Sequence, residues 1–468
     1  MKHIVIIGGG ISGLATAFYA HRLAHERDLA IHCTVLEAGS QLGGKLKTER
    51  VGEYLVEGGP ESFVTRKPAA YALCCELGLR ERLLGTSDAG KNYVLHNGQP
   101  VQVPTSPPGF LRTPLLSWRG KLRAAQELFV SAKPGALDAD EPLGQLIQRR
   151  FGAEVLDNLV APAIGSIYLS DVNQLSTQVS FQRFAAMERQ HGSVLRGMMA
   201  AQKLARQSNP QQTDKSPQFV TLPNGMGELI DTLVQNLREM DCDIRTDAHV
   251  ARIEPNCVCL ANDDVLKADA IVLAIPAFAM ADLLSPYGED LARALNAVPY
   301  INVATITLAY ARTQLRQSFD GFGIVVPARE QSPLIALEAI SNKWPGRAPQ
   351  THVLVRAFVG GHRNPQVVAQ SDEALVKLAH AEIAHMFVVQ GEPAFQRVVR
   401  WQPGNPQYPV GHLEALTQLE AKLSAVLPQV LLTGAGLRGL GVPDCVRQAK
   451  EAASRAISNA PSRPHKRC

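Results

Sequence analysis

The first run of apolar positions, Ile4 to Ile7, is rich in β-branched residues and shows no polar alternation, which predicts a strand buried on both faces. It breaks on Gly8, Gly9 and Gly10. The next apolar positions, Leu14, Ala17, Phe18 and Ala20, fall at helical spacing within residues 11–23. A second apolar run, IHCTVLEA, occupies residues 31–38, and EYLVEGGP at 53–60 reads as a strand following a polar one. From Lys67 to about Leu204 the spacing changes to threes and fours, in PAAYALCCELGL, WRGKLRAAQELF and LGQLIQRRFGAEVLDNLVAPAIGSIY, so this stretch is predicted to be mostly helical. Residues 203–218 lack periodicity and are expected to be a flexible loop. Met226, Leu229, Ile230, Leu233, Val234, Leu237 and Met240 then form one helical face, followed by short strands that end in the unbroken run Ala270 to Ile275. Residues 300–310 and 352–359 predict strands of a separate, mainly antiparallel sheet, with residues 372–387 as a helix beside them. A last apolar strand, Val430 to Thr433, runs into a second glycine-rich turn and a helix from about Val442, and the polar tail after Ser458 is expected to be disordered.

Strand, glycine turn and helix in that order give the opening residues a chemical meaning. Gly8, Gly10 and Gly13 satisfy G-x-G-x-x-G: the first permits a tight turn, the second lets a pyrophosphate approach the backbone, and the third lets helix and strand pack closely. The N-terminus of the helix then offers free N–H groups and a partial positive charge to phosphates. Glu37, at the end of the second strand, is placed to accept from both ribose hydroxyls. The opening stretch imitates a signal peptide, but its glycines interrupt any inserting helix and its uncharged run ends at His21 and Arg22. Dinucleotide binding is the reading that uses every residue. The expected fold is α/β with several domains: a Rossmann-like FAD/NAD(P)-binding domain, a mixed-sheet substrate domain and a helical insertion. The nucleotide domain is discontinuous, at 1–66, 217–284 and 396–458, interrupted by the helical insertion at 67–204 and the antiparallel-sheet substrate domain at 285–395, with the tail at 459–468.

Composition narrows the classes without choosing among them. A chain of 468 residues with 46% hydrophobic and 19% charged content is globular and long enough for two or three domains. A net charge of +4, with basic residues dispersed, gives no nucleic-acid footprint. The eight cysteines show no C-x-x-C pair, so reduced thiols in a cytosolic-type compartment are expected. HAEIAH at 380–385 imitates a zinc box, but its histidines are five apart and lie on different helix faces, so no metal site is expected and both are read as exposed.

Five stretches carry a resemblance to a family. IGGGISGLATA with VLEAGSQLGGKLKT, EGGPESFVTRKPAAYALCCELGL, SWRGKLRAAQELF with RRFGAEVLDNLVAPAIGSIYLSDVNQLS, RWQPGNPQYPVGH, and GLGVPDCVRQAKEAA together resemble the flavin-dependent porphyrinogen oxidases. These are the protoporphyrinogen oxidase and coproporphyrinogen III oxidase family within the FAD amine oxidase superfamily. The resemblance implies FAD as cofactor. It places the pyrophosphate on Gly8, Gly9, Gly10, Ile11, Ser12 and Gly13, the adenosine ribose on Glu37 beside Ala38, and a phosphate contact on Gly44 and Lys45. It lays Gly59, Pro60, Glu61 and Ser62 along the flavin ring, brings the Val250 backbone to the adenine, and closes the ring end with Trp401, Gly434 and the turn Leu440, Gly441, Val442. Read without the resemblance, Trp401 is an ordinary core aromatic and Glu61 a solvated loop acid.

The implied substrate is a porphyrinogen, a broad apolar macrocycle bearing propionates, which calls for an apolar slot with cations at its rim. Lys67 is the expected carboxylate partner with Arg66 beside it; Arg112, Arg119 and Lys121 are weaker candidates. No catalytic acid or base is expected: the flavin accepts hydride and dioxygen reoxidises it to give peroxide, while the protein orients substrate and excludes water. The first expectation is oxidation of protoporphyrinogen IX to protoporphyrin IX in haem biosynthesis, the alternative is coproporphyrinogen III to coproporphyrin III, and an amine oxidase or carotenoid desaturase is a more distant alternative. The expected location is the cytoplasm. The residues leave open a homodimer, hand-over to the next enzyme of the pathway, and peripheral contact with the inner face of the cell membrane. That last possibility rests on PPGFLRTPLLSWRGKL at 107–122, which mixes apolar residues with Arg112, Arg119 and Lys121; a packed pocket wall is the alternative for the same stretch.

Overall fold

Apolar β-branched strands with almost no charge need cover on both faces, and the chain supplies it by returning to one sheet three times. Lys2–Ile7, Ile31–Leu36, Ala270–Leu273 and Val430–Leu432, with Asp243–Arg245 at one edge, form a five-stranded parallel sheet in the order 243–245, 31–36, 2–7, 270–273, 430–432. The computed structural model describes residues 1–86, 90–131, 140–208, 217–317 and 319–458. The register sets Leu36, Ile7, Leu273 and Leu432 in one row, so four strands end at the same level. The carboxyl ends of such strands are where α/β sheets bind ligands. Ile11–Glu26, Gly227–Glu239 and Val442–Ser458 cover one face, burying Leu14, Phe18, Leu229, Leu233 and Val446 against Ile4 and Ile6. Ala277–Leu284, Glu289–Asn296 and His412–Val426 cover the other over Val5, Ile7, Ile271 and Leu273.

A seven-stranded mixed sheet stands beside it, in the order 395–406, 300–311, 352–360, 334–339, 321–325, 91–96, 99–102. The pairing of 321–325 with 91–96 is parallel and the others are antiparallel. Asp372–Phe387 packs on it through Leu375, Ala379 and Ile383. Three strands depart from the expected boundaries. Lys91–His96 and Gln99–Gln102 lie within the stretch expected to be helical, yet they form a hairpin at the edge of this sheet. Phe395–Pro406, assigned to the last nucleotide segment, pairs along most of its length with Tyr300–Ala311 instead. Of the expected loop, residues 203–208 complete the helix Val194–Ser208, while residues 209–216 and the tail lie outside the described residues.

The helices between Trp118 and Ser208 close around buried ions as well as apolar side chains. Glu127 and Arg150 are both fully buried: Arg150 Nε donates to Glu127 at 2.8 Å, and Ser193 Oγ and the Val194 amide donate to the same carboxylate at 2.5 and 2.8 Å. Burial would push the Glu127 carboxyl up, but Ser193 and Arg150 outweigh it and hold it below the ordinary value. Glu127→Ala leaves buried Arg150 with only the more distant Glu188, at 3.4 Å, as a charge partner, and is expected to cost about 3 kcal/mol. A urea titration of the variant, with a transition midpoint well below that of the parent chain, checks this.

Candidate functional site

At the row of strand ends, the first glycine turn is held by contacts that no side chain could share. Gly8 has φ +113°, and a Cβ there would lie 2.6 Å from the Ala274 carbonyl oxygen; a Cβ on Gly13 would lie 1.9 Å from the carbonyl oxygen of Gly8. The Gly9 N–H donates to Glu37 Oε2 at 2.8 Å and the Gly39 N–H to Oε1 at 2.9 Å, which fixes the Glu37 carboxylate at the rim and leaves acceptor capacity on both oxygens. Gly43 donates to the Gly9 carbonyl at 2.8 Å, bringing the loop through Gly44 and Lys45 against the turn. The Ala248 amide donates to the Glu37 carbonyl at 2.9 Å, so the segment entering Val250 borders the same rim. Val250 itself is buried, and Ala38 is exposed beside Glu37.

The second glycine turn reaches this point from the other end of the chain. Gly434 has φ +129°, and a Cβ on it would lie 3.9 Å from Ser12 Oγ and from the Ile275 carbonyl. Two residues given no role in the sequence reading, although both lie in the stretch RWQPGNPQYPVGH, clamp the turn: Tyr408 Oη donates to the Ala435 carbonyl at 2.5 Å and His412 Nε2 pairs with the Leu437 carbonyl at 2.6 Å. Leu440 packs toward the helical insertion, Gly441 lies against Asp444, and Val442 is buried in the core under the parallel sheet. Between the two turns the walls are backbone. A Cβ at Gly10 would meet only Gly44 Cα, at 3.8 Å, and the helix beginning at Ile11 has no side chain capping its first amides. A narrow, side-chain-free gap facing uncapped N–H groups fits a pyrophosphate.

Lys45, Gly58, Gly59 and Trp401 meet farther along. A Cβ on Gly59 would lie 2.0 Å from the Lys45 carbonyl oxygen, Trp401 Nε1 donates to the Gly58 carbonyl at 2.7 Å, and Lys45 Nζ donates to the Gly404 carbonyl and stands 6.0 Å from the Trp401 ring. Trp401 therefore pins the turn rather than filling an ordinary core. No carboxylate pairs with Lys45 among the described residues, and burial pulls its ammonium down to about 8. Pro60 is exposed and Ser62 half-buried, whereas Glu61 is 5% exposed and ion-paired with Lys343 at 2.5 Å, so it is not a solvated loop acid. Leu169, Val303 and Ile335, with Ile301, Phe358 and Trp401, form an apolar wall at this end.

The expected rim cations divide. Lys67 is exposed but already holds both oxygens of Asp444 at 2.7 Å, tying the segment after Ser62 to the final helix. Arg66 is exposed, and its charge acts on the phenol of Tyr168 in the helical insertion. Lys121 is buried, donating to the Leu111 carbonyl at 2.8 Å, which removes it from the rim. In the imitation zinc box, His380 is half-buried rather than exposed and pairs through Nδ1 with Tyr310 Oη at 2.9 Å, while His385 is exposed. The seven described cysteines are free.

The family profile of the flavin containing amine oxidoreductases matches residues 11–457. The chain belongs to that family. Within this flavin-dependent family it is similar along its whole length to porphyrinogen oxidases. It is 33% identical to coproporphyrinogen III oxidase of Bacillus subtilis (strain 168), covering 98% of each chain. It is 25% identical to protoporphyrinogen oxidase 2 of Arabidopsis thaliana, covering 98% of this chain and 94% of that one. A solved structure assigned as a protoporphyrinogen oxidase of Exiguobacterium sp. 255-15 superposes with a TM-score of 0.83 at 29% identity, covering 97% and 98% of the two chains. The protein is an FAD-dependent oxidoreductase of this family, with the α/β multi-domain fold expected from its sequence.

Lys45 lies on the loop held against the first glycine turn, and if its ammonium meets a phosphate of the cofactor, flavin affinity depends on pH. The free site protonates Lys45 at about 8, and a bound phosphate raises that value, so binding takes up a proton in the window above pH 8. FAD affinity should therefore fall as pH rises from 8 toward 10. Lys45→Met should bind FAD about tenfold more weakly at pH 7 and lose this pH dependence. Fluorescence titration of the apoprotein with FAD over that range reads both effects.

Proposed function

We propose that the protein oxidises coproporphyrinogen III to coproporphyrin III, with dioxygen as the final acceptor and hydrogen peroxide as the second product. The observation that carries this choice is the pattern of likeness over the full chain. Three bacterial coproporphyrinogen III oxidases are 31–33% identical to it, against 25–28% for the plant protoporphyrinogen oxidases. Likeness therefore favours the tetrapropionate substrate over protoporphyrinogen IX, the first expectation from the sequence.

In this reading Gly8 to Gly13, Glu37, Gly44, Lys45, Val250 and Gly434 hold the dinucleotide, and Gly59 to Ser62, Trp401 and the turn from Leu440 to Val442 border the flavin ring. FAD, when bound, supplies the hydride acceptor for successive two-electron steps. The chain's own residues orient and exclude. The wall of Leu169, Ile301, Ile335, Phe358 and Trp401 supplies a dry face for the macrocycle. Arg66, without an ion pair among the described residues, is available to a propionate at the rim, whereas Lys67 reaches one only by exchanging Asp444 for it. Anaerobic addition of coproporphyrinogen III should bleach the flavin. Porphyrin fluorescence should show kcat/KM for coproporphyrinogen III at least about tenfold above that for protoporphyrinogen IX, the scale of one additional charge-assisted hydrogen bond. Faster turnover of protoporphyrinogen IX would reverse the substrate choice, and a flavin that neither compound bleaches would remove the function.

Peripheral membrane contact belongs to the same proposal. The stretch from Pro107 to Leu122 divides: Leu115 and Leu116 are buried, while Leu111, Trp118, Leu122 and, farther on, Phe129 are 55%, 69%, 65% and 82% exposed. Arg112 and Arg119 lie on the exposed side. Among the described residues no helix is long and apolar enough to cross a membrane, but this mixture suits an interfacial surface. Sedimentation with anionic vesicles should carry the protein down at low salt and lose it on Trp118→Glu; equal recovery of both proteins in the supernatant would end the membrane reading.

A further inference from the structure

Six charged side chains, of which only Glu61 belongs to the site above, are drawn together at the Glu57–Ser62 turn. Glu338 and Arg356 stand opposite each other on neighbouring strands of the mixed sheet, and Lys343 follows in the short helix Ile340–Lys343. Lys343 Nζ lies 2.5 Å from Glu61 Oε1 and 3.5 Å from Glu338; Arg356 lies 2.7 Å from Glu338 and 3.6 Å from Glu61 Oε2. Arg347 approaches Glu57 at 4.0 Å and donates to Thr221 Oγ1 at 3.0 Å. Arg356, Lys343 and Glu61 are 5%, 12% and 5% exposed at the side chain. Burial alone would pull the Lys343 ammonium down and push the Glu338 carboxyl up; Glu61 and Glu338 overcome the first effect, and Lys343 and Arg356 the second, so Lys343 and Glu338 stay charged.

Burying ions in this way is weak evidence for a stabilising role, because apolar side chains of the same volume would serve stability as well. Geometry is the better account. Three consecutive carbonyls of the turn are each claimed by a side chain of the mixed sheet: Glu57 and Gly59 by Arg356 Nη1 at 3.3 and 3.0 Å, and Gly58 by Trp401 Nε1 at 2.7 Å. Arg356 also lies 4.9 Å over the ring of Phe358, in the apolar wall. Glu61 Oε2 is buried without a hydrogen-bond partner, so Lys343 and the more distant Arg356 are what hold the carboxylate in place.

We propose that Lys343 and Arg356 are positioning residues, which fix the Gly58–Ser62 turn against the flavin ring by holding Glu61 and the turn's carbonyls from the substrate sheet. This rests on the reading that the turn borders the ring, and not on which porphyrinogen is oxidised. The test uses FAD-loaded protein without any porphyrinogen. Lys343→Met and the isosteric Glu61→Gln should each alter the visible circular dichroism of the bound flavin and shift its reduction potential, while Lys343→Arg, which retains the cation, should restore the parent spectrum. With substrate added, kcat should fall by up to about 100-fold at little-changed KM, the scale of a small misplacement of reacting groups. A parent spectrum and potential in Glu61→Gln and Lys343→Met, with only the melting temperature lowered, would show the network to be purely structural and overturn the proposal. If Lys343→Met does not fold, Glu61→Gln alone decides. Because the flavin signals need no substrate, they keep this outcome separate from failure of the porphyrinogen assignment.

Discussion

The site depends on one backbone contact. Helix Ile11–Glu26 can descend onto strand Lys2–Ile7 only because residue 13 has no Cβ, which would otherwise sit 1.9 Å from the Gly8 carbonyl oxygen. That contact aims uncapped amides at the gap between the turns, and it brings Ser12 to within reach of Gly434. Glu37, Lys45 and the final helix are arranged around the same point: the first through the Gly9 amide, the second through the loop hung from the Gly9 carbonyl, the third by packing on the helix itself. A larger residue at 13 would displace all of them together.

Much of this was legible in the residues, for identifiable reasons. A parallel strand covered on both faces must be continuously apolar, so the runs at 4–7, 270–275 and 430–433 declared themselves, and the glycine turns marked where they end. The hairpin at 91–102 carried a local sign, Asn97–Gly98, both at positive φ as a tight two-residue turn requires, which the helical reading of the region passed over. Its parallel pairing with 321–325 is set by partners more than two hundred residues away and leaves no local mark. Phe395–Pro406 carries Pro403, Gly404 and Pro406, residues that interrupt a strand pattern, so its place in the mixed sheet has little local mark.

Charged residues were the least legible. A lysine in a sequence looks the same whether it is solvated, as most are, or buried against two carboxylates. Glu338 and Arg356 come from two strands of the mixed sheet and Lys343 from the short helix between them, and they gather at Glu61 only where the sheet docks on the nucleotide domain. Lys67, Lys121 and Lys45 show the same limit from the other side. All three looked available, but the first is held by Asp444 and the second by a backbone carbonyl, while the third is buried with no acid beside it. Local pattern reveals where backbone must come close; it does not reveal which ions the tertiary structure withdraws from water.

The threading of the parallel sheet also has a consequence for biogenesis. The edge strand Val430–Leu432 leaves the ribosome long after its partner Ala270–Leu273, and the helix Val442–Ser458 longer still after the first helix, over which it closes. The helix Ile11–Glu26 must wait through more than four hundred residues of synthesis with one flank uncovered, a long-range closure that is slow and exposes apolar surface meanwhile. Cofactor capture thereby waits on synthesis of the helix Val442–Ser458, and a translation product lacking it would be left colourless and prone to aggregation.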